Sequence, residues 1–508
     1  MNFLWVMRHS GYLRNFELTL RMLCDRGHAV HLAFQIGETH WLLDASDAAG
    51  QLSERYRQFS RGTIPLREDS WGLVARELRL GIDYLRYLGP AYHDAPKLRA
   101  RATREVSEAL LKRTERGVFS TGMGRAALSR WLRYQHRAIP CDLRIDAFLE
   151  ANRPDALVVT PLIEPGAPQA EYVRSARALG IPSVLCVASW DNLTNKGLIH
   201  GPPDLVTVWN DAMKREAVDL HGMDPDRVVV TGAQPFDHWF DWQPSTTREE
   251  FCQKVGLNPA HPYVLYLCSS KFIAPDEVPF VRRWIEQIRH SGSSVLREAG
   301  VLIRPHPQNA DQWQDVNLTD CPQIVVWPPA GAAPSDAKSR ADYFDSIYHS
   351  TAVVGINTTA EIESAIIGRP VFTVLAPEFR DTQEGTLHFE HLQHVNGGLL
   401  HLAANLDEHA QQLDAAIRNP RSDDERCRRF VEAFVRPYGI EVAATPKLVE
   451  ALEARAQTPV SPAPRSSFGG ALLRPRLART GERMHHRALL MEEIKAAKKA
   501  RRKKKKQR

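Results

Sequence analysis

The sequence predicts an α/β fold built from two tandem doubly wound domains that face a cleft. Three observations predict it. Apolar runs of strand length alternate with amphipathic helical segments over residues 1–450, and a strand–helix alternation of this kind forms parallel sheets with covered faces. At 508 residues the chain is too long for one hydrophobic core. The alternation also starts afresh after residue 262.

The first half opens as a β-α-β unit. Residues 2–8 form an apolar strand, residues 15–28 show helical spacing that stops at Arg26-Gly27, and residues 29–35 form a second strand. Residues 71–150 are predicted to be a mostly helical insert, rich in Leu, Arg and Glu. The sheet then resumes with strands at 156–161, 181–189, 205–210 and 227–237 and helices at 171–180 and 211–223.

The second half repeats the pattern. We expect strands at 263–270, 300–307, 323–329, 352–357 and 370–376 and helices at 275–291, 407–419 and 423–439. The predicted organisation is a first domain at 1–240, a second domain at 241–455 with a hinge near 237–262, and a disordered linker with a Lys/Arg-rich tail at 456–508. Ligands of open α/β sheets bind beyond the carboxyl ends of the strands, so the natural site is the cleft between the domains.

The composition predicts a soluble globular chain, with 43% hydrophobic and 25% charged residues. No stretch reaches the roughly 20 apolar residues of a membrane helix, and the N-terminal apolar run is too short for a signal peptide. The seven cysteines occur singly, without a CxxC pair. We therefore expect no disulfide framework, no zinc site and a reducing, cytoplasmic location.

The positive charge is concentrated at the C-terminus. Residues 495–508 carry ten Lys or Arg and no acid, and removing these charges from the net +6 leaves −4 for residues 1–494. The body is therefore not expected to bind nucleic acid specifically. Three roles stay open for the tail: contact with anionic lipid head groups at the inner face of the plasma membrane, nonspecific RNA contact, or no partner.

One junction between a strand and a helix suggests an anion site. In "AVVGINTTAEIESAIIGRPVF" (352–372), the strand stops at Asn357-Thr358-Thr359 and a helix with Glu361 and Glu363 begins at once. Free N–H groups at a helix N-terminus favour a phosphate, and Glu363 could reach ribose hydroxyls. The alternative is capping alone, with the carboxylates complementing the helix dipole.

Two more strand ends could contact phosphate. In "VLIRPHPQN" (301–309), two prolines fix the backbone where Arg304 and His306 follow the strand. Arginine binds phosphate through its planar fork, and histidine can hydrogen-bond it. The segment "CSSKF" (268–272) adds Ser269, Ser270 and Lys271, although a capping turn explains it almost as well.

These elements, in this order, resemble the nucleotide-binding half of a GT-B-type glycosyltransferase. The resemblance extends to bacterial cell-envelope enzymes, CDP-glycerol glycerophosphotransferases and UDP-N-acetylglucosamine 2-epimerases. It implies two Rossmann-like domains, a diphosphate at the turn 357–360, a ribose contact by Glu363, and no bound metal or cofactor besides the nucleotide-sugar substrate. This sequence has Thr-Thr where the epimerases have a Gly pair. The predicted donor site comprises Ser269, Ser270, Lys271, Arg304, His306, Asn357, Thr358, Thr359 and Glu363.

The first half should hold the acceptor and the catalytic base. After the first strand, His9 could serve as the base, because an unperturbed imidazole titrates near pH 6.5. Asp191, in the polar loop "ASWDNLTNKG" (188–197), is the alternative base. Trp190 could stack on a sugar or base. The predicted acceptor site comprises Arg8, Arg14, Glu164, Trp190, Asn192 and Lys196.

The predicted function is metal-independent transfer of a sugar from a nucleotide-sugar to a glycan or lipid-linked acceptor in surface polysaccharide biosynthesis. One alternative is an enzyme of another type, either a CDP-glycerol glycerophosphotransferase or a UDP-GlcNAc 2-epimerase. A second alternative is a non-catalytic scaffold that tethers partners through its tail and its insert.

Overall fold

The computed structural model describes residues 1–35, 48–318, 321–329, 331, 334, 336–420, 424–464 and 469–506. Their strands form two parallel sheets, one of seven strands and one of six. This confirms the predicted α/β fold with two doubly wound halves.

The first sheet is built from residues 2–230. Its strands are β1 Asn2–Met7, β2 Ala29–Gln35, β3 Phe59–Ile64, β4 Ala156–Thr160, β5 Ser183–Cys186, β6 Leu205–Val208 and β7 Val228–Val230. They lie in the order β3-β2-β1-β4-β5-β6-β7, so the chain reverses direction across the sheet between β1 and β4. The edge strand β3 escaped the sequence prediction, because polar and glycine residues occupy its middle and only Phe59 and Ile64 are buried.

Helices cover both faces of this sheet. They are α1 Glu17–Asp25, α2 Ala48–Arg55, α3 Ser70–Tyr87, α4 Pro96–Arg104, α5 Glu108–Thr114, α6 Gly122–Ala138, α7 Leu143–Asn152, α8 Gln169–Leu179, α9 Asn192–Asn195 and α10 Asp211–Asp219. Helices α3 to α7 confirm the predicted helical character of 71–150. A 3₁₀ helix, Ser10–Asn15, connects β1 to α1.

The second sheet comprises β8 Tyr263–Leu267, β9 Gly300–Arg304, β10 Ile324–Val326, β11 Ala352–Gly355, β12 Val371–Val374 and β13 Leu400–Ala403. Their order is β10-β9-β8-β11-β12-β13, and the chain reverses direction across this sheet between β8 and β11. The core strands are buried along their whole length, which explains why their sequences are continuous apolar runs.

The remaining helices connect and cover the second sheet or return to the first. They are α11 Asp237–Asp241, α12 Arg248–Val255, α13 Val278–Arg289, α14 Ser294–Glu298, α15 Ala337–Tyr348, α16 Thr359–Ile366, α17 Phe389–His394, α18 Leu406–Arg418, α19 Asp424–Phe434, α20 Ala444–Ala456 and α21 Arg474–Lys506. None of the described helices is both long and apolar enough to cross a membrane.

Helix α20 crosses back to the first half of the chain. Its Leu448 and Leu452 are buried in the same cluster as side chains of β1 and α1. The carboxylate of Asp237 accepts hydrogen bonds from the backbone N–H groups of Ala444 (3.0 Å) and Thr445 (2.6 Å), which fixes the start of this helix. The chain thus passes between the two halves twice, once between β7 and β8 and once before α20.

The structure differs from the sequence prediction in the C-terminal segment. Residues 456–508 were expected to be disordered, but Arg474–Lys506 form helix α21, whose Leu477 is buried against Val74 and Leu78 of α3. Before it, Ala463 donates a backbone hydrogen bond to Arg177 of α8 (2.9 Å). Leu477 and Met484 lie seven residues apart on one face of α21, which gives this face an apolar contact that the overall polarity of the segment conceals.

Candidate functional site

Polar side chains gather where each sheet reverses direction. On the first sheet, Arg8 and His9 follow β1 and Glu164 follows β4. On the second sheet, residues 269–271 follow β8 and residues 357–359 follow β11. Reversal points of parallel sheets open a crevice at the carboxyl ends of the strands, which is where such folds bind ligands.

The two edges face each other, because contacts cross between them. The indole Nε1 of Trp190 donates to Thr359 Oγ1 at the start of α16 (3.1 Å). Asn195 of α9 contacts His388 Nδ1 (3.0 Å). The charge of Arg14, from the 3₁₀ helix after β1, acts on residues of the second half, as described below.

The start of α16 is capped by its own side chains. Thr358 is the N-cap residue, and Glu361 Oε2 accepts from the Thr358 N–H (2.9 Å), which completes a capping box. Burial raises the pKa of Glu361 to about 8, so this carboxyl is largely neutral at pH 7. A Cβ atom at Gly355 would lie 2.7 Å from Glu361 Oε1, so glycine leaves room for the capping group. Capping and anion binding are compatible here, since Thr359 stays exposed to the cleft.

Asn357 has a different role from the predicted one. Its side-chain amide donates to the Thr382 carbonyl oxygen and to Thr386 Oγ1, both at 3.1 Å. The residue is buried, so its amide holds the segment 382–386 against the sheet edge instead of facing a phosphate.

Glu363 lies one turn into α16, half-buried beside the cleft. Its Oε2 accepts a hydrogen bond from the Tyr343 hydroxyl of α15. Burial raises the pKa of Glu363 to about 6, against the opposing effects of the Tyr343 hydrogen bond and the Arg14 charge. The carboxylate is therefore ionised at neutral pH and becomes protonated in mild acid.

Arg304 is not the phosphate ligand that the sequence suggested. The side chain is 6% exposed and pairs with Asp342 (3.2 Å). Its guanidinium lies over the ring of Tyr343, 4.9 Å from the centroid. The last residue of β9 thus points toward α15 and supports Tyr343, and only through Tyr343 does it act on Glu363.

His306 does reach the cleft. Its Nδ1 accepts from the Gln308 N–H (3.1 Å), so the ring proton belongs on Nε2. Burial and the charge of Arg14 lower the pKa of His306 to about 4. The side chain is therefore a neutral Nε2–H donor.

The segment after β8 divides into buried and open residues. The Ser269 N–H donates to Glu277 Oε2 (2.9 Å), and the residue is fully buried, which contradicts its predicted phosphate contact. Ser270 is half-buried and Lys271 is exposed. Burial raises the pKa of Glu277 to about 8, so it holds this turn as a largely neutral acid.

The predicted acceptor residues of the first sheet edge form an ionic cluster around Glu164. Its carboxylate accepts from the Tyr12 hydroxyl (3.0 Å) and Lys196 Nζ (3.2 Å), and Arg8 Nη1 lies 3.5 Å away. Burial opposes ionisation, but Lys196 and Arg8 outweigh it and lower the pKa of Glu164. Arg8 and Lys196 therefore both contact Glu164, and their predicted acceptor contacts stay a prediction.

Asp191 lies beside the cross-cleft contact. Its Oδ1 accepts from Ser189 Oγ (2.7 Å) and from the Asn192 amide (3.1 Å). Burial opposes ionisation, but the charge of Lys196 and the nearby His388 lower the pKa of Asp191. Burial lowers the pKa of His388 to about 4. Asn192 thus orients Asp191 and does not extend toward an acceptor.

Trp190 is not an open stacking platform. Its side chain is 2% exposed, and its ring meets the edges of His388 and Phe434 at centroid distances of 4.7 and 6.3 Å. The residue connects the two halves through its apolar contacts and through its hydrogen bond to Thr359.

His9 precedes the 3₁₀ helix that follows β1, and Arg14 lies in the last turn of this helix. The His9 ring is half-buried and packs on Tyr12, with centroids 4.6 Å apart. Arg14 is exposed to the cleft, and Glu363 is its principal attractive charge. Arg14 was predicted to hold an acceptor, and in the structure its charge acts on Glu363 and His306 of the second half.

Sequence reasoning missed Tyr343, His388 and Tyr12. Each acts through a contact with a residue far away in the chain: Glu363, Trp190 and Glu164 respectively. None lies in a motif with characteristic spacing, so no local signal identified them. Among the described residues no group of three His, Cys, Asp or Glu side chains is arranged to hold a metal ion.

Comparison with solved structures identifies the fold. No family model matches the chain, and no curated protein matches it by sequence. A putative UDP-N-acetylglucosamine 2-epimerase from Listeria monocytogenes is 10% identical, with a TM-score of 0.51 over 90% of this chain and 96% of that one. A glycosyltransferase from Rickettsia africae is 10% identical, with a TM-score of 0.50 over 90% and 99%.

A third similar structure is S. aureus MnaA in a co-structure with UDP, at 10% identity and a TM-score of 0.50 over 89% and 96% of the two chains. All three span nearly the whole of both chains, including both sheets. The protein therefore has the GT-B fold, which confirms the fold that the resemblance implied.

Proposed function

We propose that this protein is a GT-B glycosyltransferase that uses a nucleotide-sugar donor. One observation carries the proposal. Glu363 and the exposed start of α16 lie together at the reversal point of the second sheet, facing Arg14 of the first. That arrangement suits a nucleoside diphosphate, which presents two ribose hydroxyls and adjacent negative charges.

The proposed donor-binding site differs from the predicted one in the arginine that contacts the diphosphate. The diphosphate lies at the N-terminus of α16, near Thr358 and Thr359, where the helix dipole favours anions. Glu363 accepts hydrogen bonds from the ribose, and His306 Nε2–H donates to an oxygen of the donor. Arg14 replaces Arg304 as the cation that stabilises the leaving diphosphate.

The reaction proceeds at the boundary between the two sheet edges. An acceptor hydroxyl attacks the anomeric carbon, its proton passes to a base, and the bond to the diphosphate breaks. His9 and Asp191 are both candidates for the base. His9 is the better placed, because it follows β1 at the reversal point, whereas Asp191 Oδ1 already accepts two hydrogen bonds. The acceptor is proposed to be a glycan or a lipid-linked sugar of surface polysaccharide biosynthesis.

A second candidate function is epimerisation at C2 of a UDP-sugar. It is favoured by the similarity to a putative 2-epimerase and to MnaA, the latter seen with UDP. The donor-binding site described above would serve either enzyme, because both would bind the nucleotide in the same way. Product analysis separates them, since an epimerase converts the donor without an acceptor.

The direct test is a thermal-shift screen of the full chain against UDP, GDP, CDP, CMP and ADP. One nucleotide at 100 times its Kd should add about 2.7 kcal/mol of stability. Thr359→Glu should weaken this nucleotide at least tenfold, because it places a carboxylate where the diphosphate binds. An acid in the first turn suits a helix, so the variant should still fold.

Thr359→Ser is the matched control and should keep the shift. If no nucleotide stabilises the wild-type protein, the assignment of the donor-binding site is wrong. A non-catalytic scaffold then becomes the better interpretation.

A further inference from the structure

A second site of positive charge lies where the helical insert meets α9 and α10. A cavity of about 480 Å³ opens between the end of α3, one face of α6 and the turn after α10. Its lining includes Arg86, Arg125, Arg133 and His221, and none of its described lining residues is acidic.

Three of these four groups already have partners. Arg86 donates to the Lys196 carbonyl oxygen (2.6 Å), and Arg125 donates to that of Leu88 (2.7 Å). His221 Nδ1 accepts from the Ile199 N–H (3.1 Å), and its Nε2 lies 2.7 Å from the Leu193 carbonyl oxygen.

Arg133 is different. Within the described chain its guanidinium makes no hydrogen bond and no ion pair, although it is half-buried. The charge of Asp83 attracts Arg133, but the two groups form no hydrogen bond, and Asp83 Oδ1 accepts from the Leu198 N–H (2.7 Å) and lies 2.8 Å from His200 Nε2. Burial lowers the pKa of Arg133, and the charge of Arg137 lowers it further. The donors of Arg133 are therefore available to an anion in the cavity.

The rest of the cavity is apolar, and so is the surface next to it. Leu85, Leu198 and Leu220 line the wall. In the first turn of α6, next to the lining residue Gly122, the side chain of Met123 is 86% exposed. An apolar side chain this exposed next to an arginine-lined cavity suits a ligand that is anionic at one end and apolar at the other.

We propose that this cavity binds the phosphate group of an amphiphile, with the phosphate on Arg133 and the apolar chain along the leucine wall toward Met123. Arginine forms bidentate, charge-assisted hydrogen bonds with phosphate, which would complete the donors of Arg133. The ligand could be a bilayer lipid or a single phosphorylated lipid, which share this chemistry. The proposal goes beyond the transferase function and does not depend on it.

The test is titration calorimetry of the full chain with decyl phosphate below its micellar concentration. We expect saturable binding of one molecule, and at least tenfold weaker binding by Arg133→Gln. Arg130→Gln is the matched control, because Arg130 is exposed on the same helix and does not line the cavity. Inorganic phosphate should bind more weakly than decyl phosphate, since it lacks the apolar contacts.

Folding of the variant is checked in the same samples. Arg133→Gln should unfold at the same temperature as the wild type or higher, because it removes an unpaired, half-buried charge. Ala126→Trp, at an exposed position of the cavity lining, should block the cavity and abolish binding with all arginines in place.

Flotation with phosphatidic acid vesicles distinguishes the two sources. If Arg133→Gln reduces flotation, the ligand is a bilayer lipid; if only decyl phosphate binding falls, it is a single phosphorylated lipid. Equal binding of decyl phosphate by the wild type and Arg133→Gln would overturn the proposal. So would an affinity for inorganic phosphate as high as that for decyl phosphate.

Discussion

Replacing Glu363 by alanine is expected to weaken nucleotide binding by about 10²-fold or more while the protein stays folded. A hydrogen bond to a charged group contributes about 1.5–3 kcal/mol, and the carboxylate can accept two from a ribose. Within the fold, Glu363 accepts one hydrogen bond, from the Tyr343 hydroxyl. Burial raises the pKa of Glu363 to about 6, because the fold disfavours the ionised carboxylate. Replacing Glu363 removes this unfavourable burial of charge, so we expect the variant to stay folded.

Titration calorimetry with the nucleotide selected by the thermal-shift screen measures this change. Glu286→Ala is the control, because Glu286 is an exposed glutamate on α13 of the same half. Binding by Glu363→Ala as tight as that of the wild type would remove the ribose assignment.

The same residue predicts a pH dependence of affinity. Ribose hydroxyls donate to the ionised carboxylate, so protonation of Glu363 competes with binding. Affinity should fall as the pH drops below about 6, by up to about tenfold per pH unit. Glu363→Gln cannot titrate, so the ratio of wild-type to variant affinity isolates this effect from protonation of the nucleotide itself. A ratio that stays constant from pH 7.5 to pH 5 would contradict it.

Replacing Glu171 by alanine is expected to cost about 3–5 kcal/mol of stability. Glu171 is 2% exposed on α8 and accepts from Arg79 (2.5 Å) and Arg67 (2.9 Å), whose side chains are 3% and 4% exposed. Removing the carboxylate deprives buried Arg79 of its ion pair, whereas Arg67 keeps its pair with Asp69 (2.7 Å). Burial opposes ionisation of Glu171, but the surrounding arginines outweigh it and hold its pKa far below the usual range. The cluster connects α3 of the insert to α8, which packs on the first sheet.

Equilibrium urea unfolding, followed by tryptophan fluorescence, measures the loss. Glu150→Ala, at an exposed site on α7, should change stability by less than about 0.5 kcal/mol. The double variant Glu171→Leu with Arg79→Met should recover part of the loss, because a well-packed apolar pair can replace a buried ion pair. A single variant as stable as the wild type would show that the cluster contributes no net stability.

The predicted elements that the structure reproduces best are buried strands and helices with capping signals. Strand β11 and helix α16 were predicted from one apolar run and one Thr-Thr junction, and both lie within a few residues of the expected bounds. Strands β3 and β13 were not predicted. They are sheet edges with alternating or polar sequences, and short edge strands carry too little apolar signal to distinguish them from loops.

The candidate site divides in the same way. Local sequence placed Thr359 at the start of α16 and His306 just after β9, because capping, strand length and proline restrict the backbone locally. It could not decide the orientation of Arg304, which depends on Asp342 and Tyr343 of a helix almost 40 residues away. Nor could it decide that Trp190 is covered by His388 and Phe434.

The sequence by itself therefore determined the α/β class and the two repeated halves. These properties follow from hydrophobic period and local backbone chemistry, which neighbouring residues encode. Only the tertiary structure decided which side chains remain open to the cleft. Whether Arg14 or Arg304 faces an anion depends on which of them finds a buried carboxylate, and that partner is supplied by a distant part of the chain.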